Sequence, residues 1–369
     1  MPDKIKVGII GHTGRGDYGH GFDVCWRHLE NVEIVGIADP HEGGRAAAMK
    51  RTGAAKGFGD YKAMMDETKP EIVSICTRHP DQHREMFLAA AERGIHAYME
   101  KPMCLTPAEA DDMVAAAEKY KVKLALGYVT RYSPVLDVVS GLIQDGAIGK
   151  VMEIRGRGKE DAKRGGGEDM LVLGSHLMNL IHVLGGEPEW CFASIEQDGK
   201  PITKADVKPG REALGPLAGD TVHAVFGLDE SRIATFDSVR GTGAGRPWRF
   251  GLQIMGSQGI IEIQTGYLPP AAILQDSAWC PALSGSKWQI ITSAGIGKPE
   301  PFEGDYRLEG NIVACKDLIQ AIRDDRHPEC DVYQGRIVIE MLNSVFESHR
   351  VGGPVKFPLK TRENALGLL

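Results

Sequence analysis

The first third of the chain alternates between short β-rich runs and stretches long enough for a helix, and this alternation restricts the possible folds more than any other feature. Predicted strands are Ile5–Ile10, Val32–Ala38, and residues 71–76, 95–99 and 123–129. Segments with helix-like spacing separate them, including residues 23–31, 45–65 and 82–93. Strands that alternate with helices form a parallel sheet covered on both faces. The sequence therefore predicts a doubly wound α/β domain.

Beyond Ser133-Pro134, which begins a further helix, the pattern changes to β segments joined by short turns. These are Val151–Arg157, Thr221–Leu228 and residues 232–238 and 250–263, the last broken by a turn at 256–259. Such segments predict an open, mostly antiparallel sheet, on which helices at 311–323 and 335–348 are expected to pack. A chain of 369 residues favours two domains, and we place them at 1–126 and 127–369.

Charge and composition argue against several classes of partner. The formal net charge of −7 is unsuited to binding a nucleic-acid backbone, and no apolar stretch approaches the roughly 20 residues that cross a bilayer. The apolar run at residues 7–10 is too short for a signal peptide. Seven scattered cysteines without a C-x-x-C motif indicate reduced thiols. We therefore expect a cytoplasmic protein with no nucleic-acid or membrane partner.

A glycine-rich segment connects the first predicted strand to the segment that follows it. In this position glycines let backbone N–H groups approach a pyrophosphate. Two registers are open: Gly14-x-Gly16-x-x-Gly19 fits the letter pattern, whereas counting from Gly11 places Thr13 and Gly14 at the second and third positions. A merely flexible turn is the alternative interpretation. The strand-turn-helix context favours dinucleotide binding.

Asp39 ends the second predicted strand, at the distance from the loop where an acid hydrogen-bonds the adenosine ribose. A carboxylate there repels a 2′-phosphate, so the sequence favours NAD over NADP. His41 and Arg45 lie just beyond and leave NADP as the alternative. Asp39-Pro40 is also an ordinary turn starter.

Glu100-Lys101-Pro102 follows the strand at 95–99, at the carboxyl end of a parallel strand, where open α/β sheets bind ligands. With residues 74–77 and His83, this motif resembles the glucose-fructose oxidoreductase and inositol dehydrogenase (Gfo/Idh/MocA) family. The likeness covers nearly the whole chain, including Gly174-Ser175-His176 and the segment 353–355. It implies a Rossmann domain, a C-terminal α/β domain with an open, mostly antiparallel sheet, and a homodimer or homotetramer.

The resemblance also implies roles for single residues. Lys101 is expected to assist proton transfer at a substrate hydroxyl while hydride passes to the nicotinamide; a merely solvated lysine is the alternative interpretation. A lysine partly desolvated beside a cationic ring has its charged form disfavoured, so it can act as a base near neutral pH. Glu100 faces the other way and is expected to hold local structure or the cofactor ribose. The predicted cofactor set is Gly11, Thr13, Gly14, Arg15, Gly16, Asp39, Thr77, His79, His83, Glu100 and Lys101.

His176 begins a predicted helix at 174–184, and the resemblance implies that it assists catalysis; a core histidine is the alternative. Related enzymes carry acids four residues before and three residues after this histidine, where this chain has Val172 and Asn179. Glu168 and Asp169, on an expected mobile loop after three glycines, are candidate replacements. The predicted substrate set is Tyr128, Arg131, Glu168, Asp169 and Asn179, although Tyr128 and Arg131 equally suit packing between domains.

No metal site is expected. His79 and His83 have the i, i+4 spacing of a helical metal site, but Pro80 disturbs that turn and no acidic partner is evident.

These features together predict an NAD-dependent oxidoreductase acting on a hydroxyl-bearing carbon of a sugar, inositol or related polyol. Two alternatives stay open. One is an NAD-dependent glycoside hydrolase of the same fold, and the other is a non-catalytic, nucleotide-binding sugar sensor. Lys101 counts against the sensor, whereas Val172 and Asn179 count for it.

Overall fold

The computed structural model describes residues 4–243, 249–304 and 306–369. Its internal contacts divide the chain into two compact units. The first comprises Met1–Tyr128, Arg211–Gly215 and Arg307–Ile339; the second comprises Val129–Gly210, Pro216–Tyr306 and Glu340–Leu369. The division into folding domains at residue 126 stays a prediction.

The first unit is built on a six-stranded parallel sheet. Its strands are β1 (Ile5–Ile10), β2 (Val32–Ala38), β3 (Gly57–Phe58), β4 (Ile72–Ile75), β5 (His96–Met99) and β6 (Leu124–Leu126). They lie in the order β3-β2-β1-β4-β5-β6, with every neighbouring pair parallel. This is the strand order of a doubly wound dinucleotide-binding fold, and it confirms the predicted fold class. The helices are α1 (Glu42–Thr52), α2 (Tyr61–Thr68), α3 (His83–Ala91), α4 (Pro107–Tyr120) and α9 (Glu309–Arg323).

Local chemistry explains where these elements begin. The central strands are buried on both faces, so β4 is the uninterrupted apolar and small run Ile-Val-Ser-Ile. Helix α4 begins with a complete capping box, in which the Thr106 side chain accepts from the Glu109 amide and Glu109 reaches back to the amide of Thr106. Pro107 follows at the first helical position.

Two helix predictions in this unit were wrong. Residues 23–31 contain only a short 3₁₀ helix, Cys25–His28, because the preceding loop passes through positive φ at Gly16, Gly19 and Gly21. The helical segment predicted at 45–65 is two helices, since Gly53 ends α1 in the left-handed conformation at φ 80°. Strand β3 lies between them.

The second unit contains an 11-stranded mixed sheet. Its strands are β7 (Val151–Arg157), β8 (Pro188–Gln197), β9 (Lys200–Pro201), β12 (Thr221–Leu228), β13 (Ile233–Val239), β14 (Gly251–Gly256), β15 (Gly259–Gln264), β16 (Ala271–Leu274), β17 (Gln289–Thr292), β18 (Gly295–Ile296) and β19 (Val355–Lys356). Strands β10 (Lys208–Pro209) and β11 (Pro216–Leu217) form a separate pair. Among the strands described, β7 and β13 pair in parallel and the other neighbours pair antiparallel. The predicted open, mostly antiparallel sheet is confirmed.

The remaining helices are α5 (Pro134–Gln144), α6 (Gly167–Asp169), a π-helical turn at Met170–Gly174, α7 (Ser175–Gly185), α8 (Pro281–Ser284) and α10 (Val332–Val351). Helix α10 belongs to the first unit up to Ile339 and to the second unit from Glu340. The expectation that the helix at 311–323 packs on the antiparallel sheet was wrong. Helix α9 belongs to the first unit, where Cys315 lies 3.5 Å from Cys25 and Leu308 lies against Gly21. In the part of the chain that the structure describes, none of the helices is both long and apolar enough to cross a bilayer.

Candidate functional site

Three connections in the first unit meet at the carboxyl ends of β1, β4 and β5. They are the glycine-rich loop from Gly11 to Gly19, the turn at Thr77-Arg78-His79 and the turn at Glu100-Lys101-Pro102. Ligands of open α/β sheets bind at this edge, where the order of the strands reverses.

The glycine-rich loop makes a tight turn in which the His12 and Asp17 backbones pair at 3.0 and 3.1 Å. Gly14 and Gly16 have φ of 81° and 84°. A Cβ on Gly16 would lie 2.6 Å from the Arg78 amide nitrogen, whereas a Cβ on Gly14 would meet nothing within 4 Å. Gly16 therefore allows the loop to touch the turn after β4, and Gly14 leaves backbone exposed to an incoming ligand.

Asp39 is fully buried, and both of its carboxylate oxygens accept hydrogen bonds from the protein. Oδ2 accepts from the Thr13 hydroxyl at 2.7 Å and from the Tyr18 hydroxyl at 2.8 Å. Oδ1 accepts from the His41 amide at 2.8 Å. Burial alone raises the pKa of Asp39, but these hydrogen bonds outweigh it and leave the pKa below its ordinary value. In this conformation Asp39 ties the loop to the end of β2.

Tyr18 was missed by the sequence analysis. The Tyr18 ring packs directly on Gly11: a Cβ added to Gly11 would lie 2.2 Å from Tyr18 Cε1. The Arg51 guanidinium stacks over the other side of the ring, 4.2 Å from its centre. The only sequence signal for this contact was an aromatic residue within a glycine-rich loop.

A cavity of about 190 Å³ opens beside this network, at the ends of β1 and β2. Its lining includes Gly11, Asp39, Pro40, Tyr61, Gln82 and Met86. In doubly wound folds, the half of the sheet formed by the first three strands binds the adenosine half of a dinucleotide. Tyr61 and Met86 offer the apolar surface that an adenine ring needs, and neither was predicted from the sequence.

Asp39→Asn is expected to reduce the free energy of unfolding by about 1–3 kcal/mol at pH 7, because a buried amide cannot accept from all of these donors. Since the folded pKa lies below the ordinary value of 3.8, the stabilisation exists above that value and is lost as pH falls through the folded pKa. Urea unfolding of parent and variant at pH 7 and pH 2.5 measures this difference. An equal gap at both pH values would contradict the assignment.

His83 joins the turns after β4 and β5. It is fully buried, with Nε2 2.7 Å from the Thr77 carbonyl oxygen and Nδ1 2.9 Å from the Pro102 carbonyl oxygen. Burial lowers the pKa of His83, so the neutral ring donates to one carbonyl at a time. The structure thus places His83 between the two backbone segments.

Glu100 and Lys101 are both buried, with 0% and 7% of their surface exposed. Glu100 Oε2 accepts from the Lys101 amide at 2.8 Å, and Oε1 lies 2.5 Å from His20 Nδ1. Burial raises the pKa of Glu100, but the His20 hydrogen bond and the Lys101 charge outweigh it, so the pKa is lowered. The carboxylate is therefore ionised at neutral pH. His20 was missed, because its partner lies 80 residues away in the sequence.

Of the remaining predicted cofactor residues, Thr77 is buried, whereas Arg15 and His79 are partly exposed. Arg78, which was not in the predicted set, is partly exposed beside them. Arg15 pairs with Asp81, and Arg78 lies 3.8 Å from Asp17. His79 is half-buried in the same turn, and burial lowers its pKa. Arg15 and Arg78 place guanidinium groups at the edge where the loop exposes Gly14, each beside a carboxylate, and the lowered pKa of His79 favours its neutral form.

In the second unit, Glu168 and Asp169 lie on the helical turn α6 rather than on the expected loop. Asp169 is fully buried, and its Oδ2 accepts from the Ser238 hydroxyl at 2.6 Å and from the Glu160 amide at 3.0 Å. Burial raises the pKa of Asp169. Its other oxygen is buried without a hydrogen-bond partner among the described residues.

His176 lies in the first turn of α7, directly after the π-helical turn that contains Val172. Asn179 is 1% exposed on the same helix. Insertions of π-helix are frequent at functional sites, so this segment stays a candidate for substrate contact. Tyr128 ends the first stretch of the first unit, and Arg131 lies in a 3₁₀ helix, Val129–Tyr132, of the second.

Comparison with known proteins gives two family matches. Residues 5–128 match a model described as "oxidoreductase family, NAD-binding Rossmann fold", and residues 141–357 match "oxidoreductase family, C-terminal alpha/beta domain".

Three individual relatives are each less than 30% identical to this chain. D-apiose dehydrogenase of Paraburkholderia graminis is 29% identical over 55% of this chain and 56% of its own length. D-glucoside 3-dehydrogenase of Escherichia coli is 27% identical over 49% of this chain and 54% of its own. The chain thus spans about half the length of these curated relatives. Levoglucosan dehydrogenase, solved with NADH and levoglucosan, superposes with a TM-score of 0.76 at 18% identity, over 96% of this chain and 100% of its own.

Proposed function

Because the chain belongs to the Gfo/Idh/MocA family of oxidoreductases, we propose that it is an NAD-dependent dehydrogenase of a sugar, inositol or related polyol. The observation that carries this proposal is the meeting of the glycine-rich loop with the Glu100-Lys101 turn. Glu100 reaches so close to the loop that a Cβ on Gly19 would lie 2.8 Å from its side chain. The proposed dinucleotide-binding loop and the turn that contains Lys101 are thereby neighbours.

The residues present fit the cofactor. Gly14 faces open space, a cavity lies beside Asp39, and the guanidinium groups of Arg15 and Arg78 lie near the loop. Bound NAD supplies the hydride acceptor. The negative charge of Asp39 supports NAD over NADP. Arg45, which left NADP as the alternative, donates a hydrogen bond to the Asp39 carbonyl at 2.7 Å. Thr77 and His79 would contact the bound cofactor from the turn after β4.

We assign the proton step to Lys101. Its Nζ would take the proton from the substrate hydroxyl as the carbon–oxygen double bond forms, and return it in the reverse direction. Glu100 holds the Lys101 backbone through its amide. His176 is proposed to assist catalysis, and Glu168, Asp169 and Asn179 to contact substrate, with Tyr128 and Arg131 as further substrate contacts. We further propose that the protein is cytoplasmic and forms the homodimer or homotetramer that the family resemblance implies.

The proposal is tested by identifying the nucleotide released from denatured protein and then following NADH absorbance across inositols, aldoses and amino sugars. Reduction of NAD by at least one member of the panel is the expected result. Tightly held NAD with glycoside cleavage and no net NADH would instead favour the hydrolase of the same fold. Nucleotide binding without turnover of any substrate would favour the sensor.

A further inference from the structure

The pair formed by His20 and Glu100 lies at the end of the glycine-rich loop, and His20 has no role in the proton step assigned above. Glu100 is completely buried, whereas the His20 side chain is 63% exposed. One Glu100 oxygen lies 2.5 Å from His20 Nδ1 and the other accepts from the Lys101 amide. A single carboxylate therefore links the loop to the lysine turn and leaves one edge of the imidazole open to solvent.

The backbone of His20 is held as well. The Asn311 amide donates to the His20 carbonyl at 2.9 Å, and Asn311 accepts from the Tyr98 hydroxyl at 2.7 Å. Gly19 has φ 61°, and a Cβ there would lie 2.7 Å from the Cys76 carbonyl oxygen. The direction of the imidazole is therefore fixed from both its ring and its main chain.

The bond to Glu100 also selects the tautomer. An ionised carboxylate only accepts hydrogen bonds, so Nδ1 of His20 carries the hydrogen. In the neutral ring this leaves Nε2 as a lone-pair acceptor on the exposed edge. An acceptor in this position suits a hydroxyl group rather than a phosphate.

The place of this acceptor in the sheet identifies the hydroxyl. In the order β3-β2-β1-β4-β5-β6, the first three strands form one mononucleotide half and the last three form the other. The cavity beside Asp39 lies at β1 and β2, whereas Glu100 directly follows β5. We propose that His20 Nε2 accepts a hydrogen bond from a ribose hydroxyl in the nicotinamide half of NAD, with Glu100 as the residue that orients it. This rests on the proposed NAD-dependent function.

Calorimetric titration with two probes separates the halves of the cofactor. NADH contains both halves, whereas ADP contains only the adenosine half and the two phosphates. His20→Ala and His20→Asn are expected to raise the Kd for NADH about tenfold and to leave the Kd for ADP unchanged. Asn can still donate to Glu100, so His20→Asn keeps the loop attached while removing the acceptor. His28→Asn is the control, since His28 is an exposed histidine outside the site.

Glu100→Gln provides a second arm. The amide nitrogen of Gln would donate to His20 Nδ1, placing the hydrogen on Nε2 and abolishing the acceptor. This variant is expected to raise the Kd for NADH and to leave the Kd for ADP unchanged, as His20→Asn does.

Two results for His20→Asn would overturn the proposal. If His20→Asn binds NADH as tightly as the parent, the imidazole only fastens the loop. If His20→Asn weakens the binding of NADH and ADP equally, its effect is structural. Both results leave the proposed function standing, whereas a parent protein that binds neither NADH nor NADPH overturns the two together.

Discussion

Lys101→Met is expected to lower kcat by about 10²–10⁴-fold on the best substrate of the panel, because the hydroxyl then loses its proton without a positioned base. Methionine keeps much of the length and apolar body of the lysine side chain, which suits a position that is only 7% exposed. Stopped-flow measurement of NADH formation gives the rate of the hydride step. The Kd for NADH, measured by fluorescence, should change by a much smaller factor than kcat.

The matched control is Lys119→Met, which removes an exposed lysine from α4. It should leave kcat at the parent value. The pH profile adds a readout that misfolding would not produce: the parent's rate should rise through one ionisation that is absent from Lys101→Met. A variant with the parent's kcat and pH profile would show that Lys101 does not move the proton.

The strand pattern of the first unit was predictable because buried parallel strands are short apolar runs separated by helix-length segments. The glycine-rich loop and the Glu100-Lys101 turn lie directly after two of these strands, so their shared edge followed from the sheet topology. The antiparallel hairpin of β14 and β15 was predictable for a similar reason, since Gly256 and Gly259 bound its turn.

The helix expected after the loop was not predictable from periodicity alone. Phe22, Cys25 and Trp26 have helix-like spacing, and each is buried. Their burial comes instead from tertiary contacts: Phe22 stacks on Tyr98 with ring centres 4.5 Å apart, and Trp26 meets the same ring edge-on. Apolar spacing reports which residues are buried, and the positive φ values before them decide that most of the segment is not helical.

The partners of the site residues were the hardest part to predict. Asp39 was singled out by its distance from the loop, but its bonds to Thr13 and Tyr18 depend on how the loop folds back on β2. His20 and Glu100 come together only because β1 and β5 flank β4 in the sheet. Asp169 was expected on a loop, and its burial follows from the helical turn that precedes α7.

Gly16→Ala is expected to raise the Kd for NADH by about 10²-fold. The residue has φ 84°, where an L side chain costs roughly 1–2 kcal/mol. A Cβ there would also lie 2.6 Å and 2.8 Å from the amide nitrogens of Arg78 and His79. Because both neighbours are backbone atoms, the clash can be relieved only by moving the loop or the turn after β4. A misplacement of about 1 Å in a catalytic site can cost about 10²-fold in rate, and we expect a loss of the same order in NADH affinity here.

Gly94→Ala separates backbone strain from the clash. Gly94 has φ 70° after α3, but a Cβ there would meet nothing within 4 Å. This control should lose about 1 kcal/mol of stability and keep the parent's Kd for NADH. If Gly16→Ala binds NADH as Gly94→Ala does, the contact between the loop and the turn at Arg78 is not what shapes the cofactor site. A selective loss in Gly16→Ala, with thermal stability close to that of Gly94→Ala, would assign the effect to that contact, because the two variants share the strain and differ in the clash.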